Sequence, residues 1–180
     1  MQTQDLVDLD FTKPPIPERK PAQASPRAEL EAIGSLAPGH AGNLVCFIAA
    51  NARRVTATAD APVTVVEDDE TTGRVLHRAI SALGYPVRIA AHGREFLQGL
   101  RKAPLPRLVL LDVELPQVNG FKLLTLLRQH PQTAGIPVVL LTGRSESKDL
   151  LHGLSLGADG YLSKPVKLET LRAMLEKLLG

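Results

Sequence analysis

The chain has 180 residues, of which 44% are hydrophobic, with 21 Lys and Arg against 19 Asp and Glu. This size accommodates one ordinary domain and a remainder, and the composition is that of a chain with a core, which excludes a wholly disordered protein. The near balance of charge gives no strong positive field for nonspecific nucleic-acid binding. The single cysteine, Cys46, excludes an intrachain disulfide and a cysteine zinc cluster, and fits a reducing, cytoplasmic location.

Residues 1–60 differ from the rest, and we interpret them as a proline-rich linker or tail that is mostly disordered. Prolines such as those in segment 14–17 favour extended, solvated chain. Ser25 and Pro26 resemble the N-cap and first position of a short helix. The apolar run 44–50 is too short to span a bilayer, so we expect no membrane insertion. It packs on the main domain, forms a docking helix, or belongs to another module; the sequence leaves the three open.

Residues 61–180 alternate short apolar runs with amphipathic stretches, and we predict that they form one domain. The apolar runs, each typical of a strand covered on both faces, are 63–66, 87–91, 108–111, 138–141 and 161–162. Between them, apolar residues recur at helical spacing, as in Val75, Leu76, Ala79, Ile80 and Leu83, then Phe96, Leu97 and Leu100, and later Leu168, Leu171, Leu175 and Leu178. Five strands alternating with five helices predict an α/β fold with a parallel sheet and helices on both faces.

Charged and polar residues follow four of the five predicted strands. The carboxyl ends of parallel strands meet at one edge of the sheet, where α/β proteins place their sites. The residues expected there are Glu67, Asp68 and Asp69 after the first strand, Asp112 after the third, Thr142 after the fourth, and Lys164 with Pro165 after the fifth. Carboxylates so crowded repel one another unless a cation lies between them, and an all-oxygen site suits Mg²⁺. The acidic residues disfavour flavin phosphate binding.

A carboxylate beside a divalent cation, a lysine and a hydroxyl provides what phosphoryl transfer to that carboxylate requires. The cation and the ammonium neutralise the phosphoryl oxygens while the carboxylate attacks in line. The residues therefore point to an aspartyl phosphate.

Four segments, VTVVEDDE, LVLLDVELPQVNGF, VVLLTG and GADGYLSKP, resemble the receiver domains of two-component response regulators. With the connecting helices the resemblance covers about residues 62–180. It implies a flavodoxin-like doubly wound parallel sheet of five βα units with strand order 2-1-3-4-5.

The resemblance also assigns roles to the residues at the strand ends. It makes Asp112 the phosphoacceptor, and it makes Glu67, Asp68, Asp112 and the backbone carbonyl of Glu114 the protein ligands of Mg²⁺. Asp68 ligates directly and Glu67 mainly through water. These roles are expectations for the structure.

The same resemblance implies that Thr142 is the switch hydroxyl, Tyr161 the switch aromatic, and Lys164 the phosphate-binding lysine, held by a cis bond to Pro165. Two features depart from the family pattern or vary within it. Gly143 stands where alanine is common, and because glycine is small, phosphate keeps its access to the site. Glu114 and Arg144 flank the site with opposite charges. We expect the flanking pair to affect the lifetime of the phosphoryl group.

Several nearby residues have simpler interpretations. Asp69 and Glu70 are expected to cap the first helix, where negative charge is favourable. Pro116 and Gly120 are expected to shape the turn that ends the acceptor loop. The histidines show no metal-ligand spacing among themselves; they are His40, His77, His92, His130 and His152.

The chain ends after the fifth predicted helix, so we expect a receiver without a separate output domain and without direct DNA binding. It would take a phosphoryl group from a histidine kinase or phosphotransfer protein and catalyse only its own Mg²⁺-dependent phosphorylation and dephosphorylation. Its output would be a changed protein-binding face on the fourth helix, fifth strand and fifth helix, with homodimerisation left open. The alternatives are a docking or dimerisation module with vestigial phosphorylation, and an aspartate-based phosphatase, although the latter favours aspartate at position 114.

Overall fold

The structure is a computed structural model that describes residues 44–45, 58, 60–102, 104–143 and 152–179. Only the backbone is described for residues 44–45. The short helix predicted at Ser25 and Pro26 lies outside the described residues, as does the predicted disordered extension apart from residues 44–45, 58 and 60.

Five parallel strands form the centre of the fold, in the order β2-β1-β3-β4-β5. This order confirms the predicted flavodoxin-like sheet with strand order 2-1-3-4-5. The three inner strands are buried almost throughout, which explains their nearly continuous apolar sequences. The strands are β1 (Val63–Val66), β2 (Val87–Ala90), β3 (Leu108–Asp112), β4 (Val138–Thr142) and β5 (Gly160–Ser163).

Helices connect the strands and cover both faces of the sheet. They are α1 (Glu70–Ala82), α2 (Gly93–Gly99), α3 (Gly120–Gln129), α4, described over 152–155, and α5 (Leu168–Leu179). None of the helices in the described ranges combines the length and apolar character needed to span a bilayer.

Side-chain caps fix where helices begin, as at α1 and α2. Asp69 is the N-cap of α1, where its Oδ1 accepts a hydrogen bond of 2.7 Å from the Thr72 backbone N–H. This confirms the predicted cap, and the hydrogen bonds from Thr72 lower the pKa of Asp69. At α2, His92 Nδ1 accepts from the Glu95 N–H, while Glu95 Oε2 accepts from the Ala91 N–H. These reciprocal bonds satisfy N–H groups that a helix start otherwise leaves without partners.

The core consists of two apolar layers, one on each face of the sheet. The first layer joins strand side chains to α2 and α3, and includes Phe96, Leu123 and Leu127. The second joins the alternate strand side chains to α1 and α5, and includes Leu76 and Met174. The alternation follows from the two-residue period of a strand and makes the sheet doubly covered, as predicted.

Some apolar positions are less buried than the periodicity predicts. Val75 of α1 is 57% exposed and Leu168 of α5 is 54% exposed, although both were expected on the apolar faces of their helices. In β2, Val87 to Ile89 are only half-buried because β2 is an edge strand. A prediction that every strand is covered on both faces was therefore wrong for β2.

An additional strand lies at the opposite edge of the sheet. Leu44–Val45 pairs antiparallel with β5, with Leu44 opposite Leu162 and Val45 opposite Tyr161. The start of the apolar run 44–50 thus contacts the main domain through its backbone, which is one of the alternatives that the sequence left open. A domain boundary at residue 60 stays a prediction.

The loop after β3 contains the single non-glycine residue with a left-handed backbone among the described residues. Gln117 has φ of 70°, a conformation that crowds its Cβ against the following carbonyl. Its side chain is exposed. The strain is therefore a property of the backbone at this position.

We predict that Gln117→Gly raises the free energy of unfolding by about 0.5–1 kcal/mol, because relief of the strained φ exceeds the added entropy of the unfolded chain. Urea denaturation measures the change. Gln117→Ala keeps the strain and should leave stability nearly unchanged, while Gln98→Gly, in exposed helical backbone of α2, should destabilise the fold. A destabilised Gln117→Gly would contradict the account of this loop.

Candidate functional site

Four polar side chains converge at the carboxyl edge of the parallel strands. Glu67 directly follows β1, Asp112 ends β3, Thr142 ends β4, and Lys164 directly follows β5. Glu67, Asp112 and Thr142 are only 2%, 3% and 4% exposed. The sheet order thus brings together residues that lie up to 97 positions apart in the chain.

Lys164 joins the two buried carboxylates. Its Nζ lies 2.8 Å from Asp112 Oδ2, 2.8 Å from Glu67 Oε1 and 2.7 Å from Glu67 Oε2. The lysine side chain keeps 24% of its surface exposed, so the ammonium lies at the mouth of the site. One positive charge therefore offsets part of the repulsion between the two carboxylates.

This arrangement moves the proton affinities of both partners. Burial raises the pKa of Glu67, and the neighbouring Asp112 charge adds to that effect, while the hydrogen bond from Lys164 opposes it. Burial tends to lower the pKa of Lys164, but its hydrogen bonds to Asp112 and Glu67 outweigh burial and raise that pKa. Lys164 therefore stays charged at neutral pH.

The acidic residues have the composition expected of a site for a hard cation. Glu67, Asp68 and Asp112 each offer one carboxylate oxygen, and these oxygens all lie within 4.8 Å of one another. Glu67 and Asp112 are buried, whereas Asp68 is exposed and faces solvent. An all-oxygen set with an exposed member fits Mg²⁺, which keeps several water ligands.

Local backbone contacts fix the position of Asp112, the predicted acceptor. Asp112 Oδ1 accepts a hydrogen bond of 3.1 Å from the Glu114 N–H. At the start of α3, a Cβ on Gly120 would collide with the Asp112 carbonyl oxygen and would lie 2.9 Å from Val113 Cα. Gly120 is required because the helix begins directly against the β3 backbone, which supports its predicted structural role.

The two predicted switch residues lie on neighbouring strands. The Thr142 carbonyl accepts a hydrogen bond of 2.8 Å from the Lys164 N–H, which ties the end of β4 to the lysine. Tyr161 is 2% exposed, and in the sheet register it lies beside Leu140 of β4. The structure thus brings Thr142 and Tyr161 to adjacent strands, and their switch roles stay predictions.

Other predicted site residues have mixed outcomes. The bond between Lys164 and Pro165 is cis, as the resemblance implies. Gly143 is exposed, and a Cβ there would meet nothing within 4 Å, so alanine would also fit. Glu114 is exposed near the site, while Arg144 lies outside the described residues.

One supporting group was missed by the sequence analysis. Arg128, at the end of α3, donates to the carbonyls of Gly157 and Ile136, both at 2.9 Å, and to Asp159 Oδ2 at 2.8 Å. Asp159 Oδ2 also accepts from the Val138 N–H at 2.9 Å. This largely buried pair fixes the starts of β4 and β5, and its sequence signal was the Asp of the segment GADGYLSKP.

Comparison with known proteins identifies the family of this domain. The response regulator receiver domain model matches residues 63–176. The transcriptional regulatory protein GltR of Pseudomonas aeruginosa is 37% identical over 117 residues, which are 65% of this chain and 48% of GltR. The phosphate regulon transcriptional regulatory protein PhoB of Rhizobium meliloti is also 37% identical over 117 residues, 65% of this chain and 51% of PhoB.

A solved structure shows the same fold. Chemotaxis protein CheY4 of Vibrio cholerae matches with a TM-score of 0.63 and 31% identity, covering 67% of this chain and all of that one. The chain spans about half the length of the two regulatory proteins that it matches. The residues that match the family model include the site described above. The chain therefore belongs to the response regulator receiver domain family.

Proposed function

We propose that Asp112 accepts a phosphoryl group from a histidine kinase or phosphotransfer protein and that the chain signals through a changed protein-binding surface. The observation that carries the proposal is the position of Lys164, whose ammonium lies 2.8 Å from Asp112 Oδ2 at the open edge of the sheet. An ammonium held beside a carboxylate is placed to neutralise phosphoryl oxygens on that carboxylate.

In the proposed transfer, Asp112 is the nucleophile and Lys164 contacts the transferred group. A carboxylate oxygen of Asp112 forms a bond to phosphorus while the bond from phosphorus to the donor's imidazole nitrogen breaks, and the imidazole leaves with the bonding electrons. Lys164 then exchanges its contact with the Asp112 carboxylate for phosphoryl oxygens. Later attack by water on phosphorus restores the Asp112 carboxylate and releases inorganic phosphate.

We also propose that Glu67, Asp68, Asp112 and the Glu114 carbonyl hold Mg²⁺. When bound, the cation supplies positive charge to the phosphoryl oxygens during transfer. The support is the mutual proximity of the three carboxylates and their all-oxygen chemistry. In this arrangement Asp68 contributes the exposed ligand, and Glu67 stays engaged with Lys164.

The proposed output follows from the neighbouring strands. Phosphate on Asp112 attracts the Thr142 hydroxyl at the end of β4, and Tyr161 on β5 responds, which changes the face formed by α4, β5 and α5. A protein partner, or a second copy of the chain, would bind there. We place this signalling in the cytoplasm, where a histidine kinase presents its phosphoryl group.

The alternatives are weaker on the same observations. A docking module with vestigial phosphorylation gives no reason for a lysine shared between two buried carboxylates. A phosphatase favours aspartate at position 114, where this chain has an exposed glutamate. Transcriptional output is a second candidate, because GltR and PhoB are both named as transcriptional regulatory proteins. We favour a protein-binding output for this domain because the charge of these 180 residues is balanced and supplies no strong field for DNA.

We predict that acetyl phosphate with Mg²⁺ adds one phosphoryl group to the wild-type chain, because Asp112 ends β3 at the carboxyl edge with Lys164 Nζ 2.8 Å from its Oδ2. Intact-mass spectrometry detects the adduct. Asp112→Asn should show none, since the amide is a poor nucleophile, whereas Asp69→Asn, which keeps a good helix cap, should be labelled like the wild type. Equal labelling of Asp112→Asn and the wild type would remove Asp112 as the acceptor.

We predict that Mg²⁺ raises the melting temperature, since a ligand at 100 times its Kd stabilises the native state by about 2.7 kcal/mol. Asp68→Ala should lose most of this response. Asp69→Ala is the matched control: it removes the cap of α1 and lowers the baseline stability, but should keep the Mg²⁺ response. If Asp68→Ala responds as strongly as the wild type, Asp68 is not a ligand.

A further inference from the structure

The segment α4 contains a glycine that lies directly against the ring of Tyr161. A Cβ built on Gly153 would collide with the Tyr161 hydroxyl oxygen and would lie 2.7 Å from Tyr161 Cζ and 2.8 Å from Leu140 Cδ1. Real side chains do not tolerate separations below about 3 Å, so glycine is the residue that allows this contact.

The ring of Tyr161 is buried in this inward position. Tyr161 is 2% exposed and belongs to the apolar layer that also contains Leu140. The end of its ring occupies the volume that a side chain at position 153 would fill. The inward position of Tyr161 therefore depends on the absence of a side chain at position 153.

Among the described residues, the other groups near position 153 include the Leu140 side chain and the backbone of α4. Leu140 is fully buried on the inner strand β4, so a shift of its side chain would have to displace other core residues. The helical backbone at Gly153 is followed by the turn at Gly157, whose carbonyl is held by Arg128. Because both neighbours are held in place, the tyrosine is the group that must move if position 153 gains a side chain.

We propose that Gly153 is the positioning residue of Tyr161: the missing side chain at 153 forms the socket that lets the tyrosine ring lie inward. This deepens, and rests on, the proposed signalling function, because the inward or outward position of Tyr161 sets the shape of the α4, β5 and α5 face. Leu140 and Thr142 lie on the same side of β4, so the socket is on the side of the sheet that Thr142 faces.

The consequence is a separation of phosphorylation from output. Gly153 does not contact Asp112, Glu67 or Lys164 in the described contacts, and a side chain there leaves the acceptor intact. The Gly153→Ala chain should therefore still be phosphorylated by acetyl phosphate, while its tyrosine ring is held outward in both states. Partner binding would then no longer respond to phosphorylation.

The test uses the full chain labelled with ring-¹³C tyrosine. The chain has two tyrosines and no tryptophan, so the spectrum contains signals from Tyr85 and Tyr161 alone. Tyr85 is half-buried beside Arg107 and serves as the internal reference. In the wild type, a soluble paramagnetic reagent should broaden the Tyr161 signal much less than that of Tyr85. In Gly153→Ala, broadening of Tyr161 should rise to at least that of Tyr85, with Tyr85 unchanged.

Gly73→Ala is the matched control, because Gly73 is also a buried helical glycine but its added Cβ would meet Ile89 Cγ2 at an ordinary 3.7 Å. That variant should leave the Tyr161 signal as in the wild type. A Tyr161 signal that stays shielded in Gly153→Ala would overturn the proposal, since the helix would then have moved in place of the ring. A structural role alone predicts that shielded result.

A second measurement keeps the proposal testable if Gly153→Ala does not fold. Tyr161→Val removes the ring while keeping a strand-forming residue, so Gly153→Ala should cost far less thermal stability in that background than in the wild type. An equal loss in both backgrounds would overturn the proposal. If the wild type fails to accept phosphate, the proposed function fails while the tyrosine result stands, so the two failures are distinguishable.

Discussion

The central constraint of this domain is that two buried carboxylates share one ammonium. Glu67 and Asp112 end or follow different strands, and Lys164 approaches both from a third. Taking one partner away leaves a buried charge without compensation, which costs several kcal/mol in proteins. The same contact therefore holds β1, β3 and β5 together at their carboxyl edge and supplies the charge that a phosphoryl group would need. Stability and chemistry depend on the same three side chains.

The surroundings of this contact divide into fixed and movable parts. Gly120 lets α3 begin against the Asp112 carbonyl, and the largely buried pair of Arg128 and Asp159 fixes the starts of β4 and β5. These contacts leave the acceptor little freedom. Tyr161, by contrast, is held by packing against Gly153, and packing can change without loss of a buried charge. In the proposed function, a local change at Asp112 thus reaches the face of α4, β5 and α5 while the sheet stays intact.

Much of the fold and of the site could be predicted from the sequence because parallel strands leave strong signals. Buried inner strands have continuous apolar sequences, and the residues that follow parallel strands must meet at one edge of the sheet. The sequence therefore predicts that Glu67, Asp112 and Lys164 lie close together. The resemblance to receiver domains then supplied the strand order and the roles.

What could not be predicted depends on contacts that carry no local pattern. Val75 has helical periodicity but is exposed in the part of the chain that the structure describes. The left-handed φ of Gln117 occurs at a residue whose type does not indicate it. Gly153 became informative only when Tyr161 was placed against it. The pairing of Leu44–Val45 with β5 depends on a sheet edge that sequence periodicity does not identify.

The measurement that tests the shared ammonium most directly is a urea-denaturation cycle at neutral pH. Lys164→Met should cost about 2–4 kcal/mol in the wild type, allowing for the partial exposure of the lysine, and less than about 1 kcal/mol in a Glu67→Gln/Asp112→Asn background. An equal cost in both backgrounds would contradict the account.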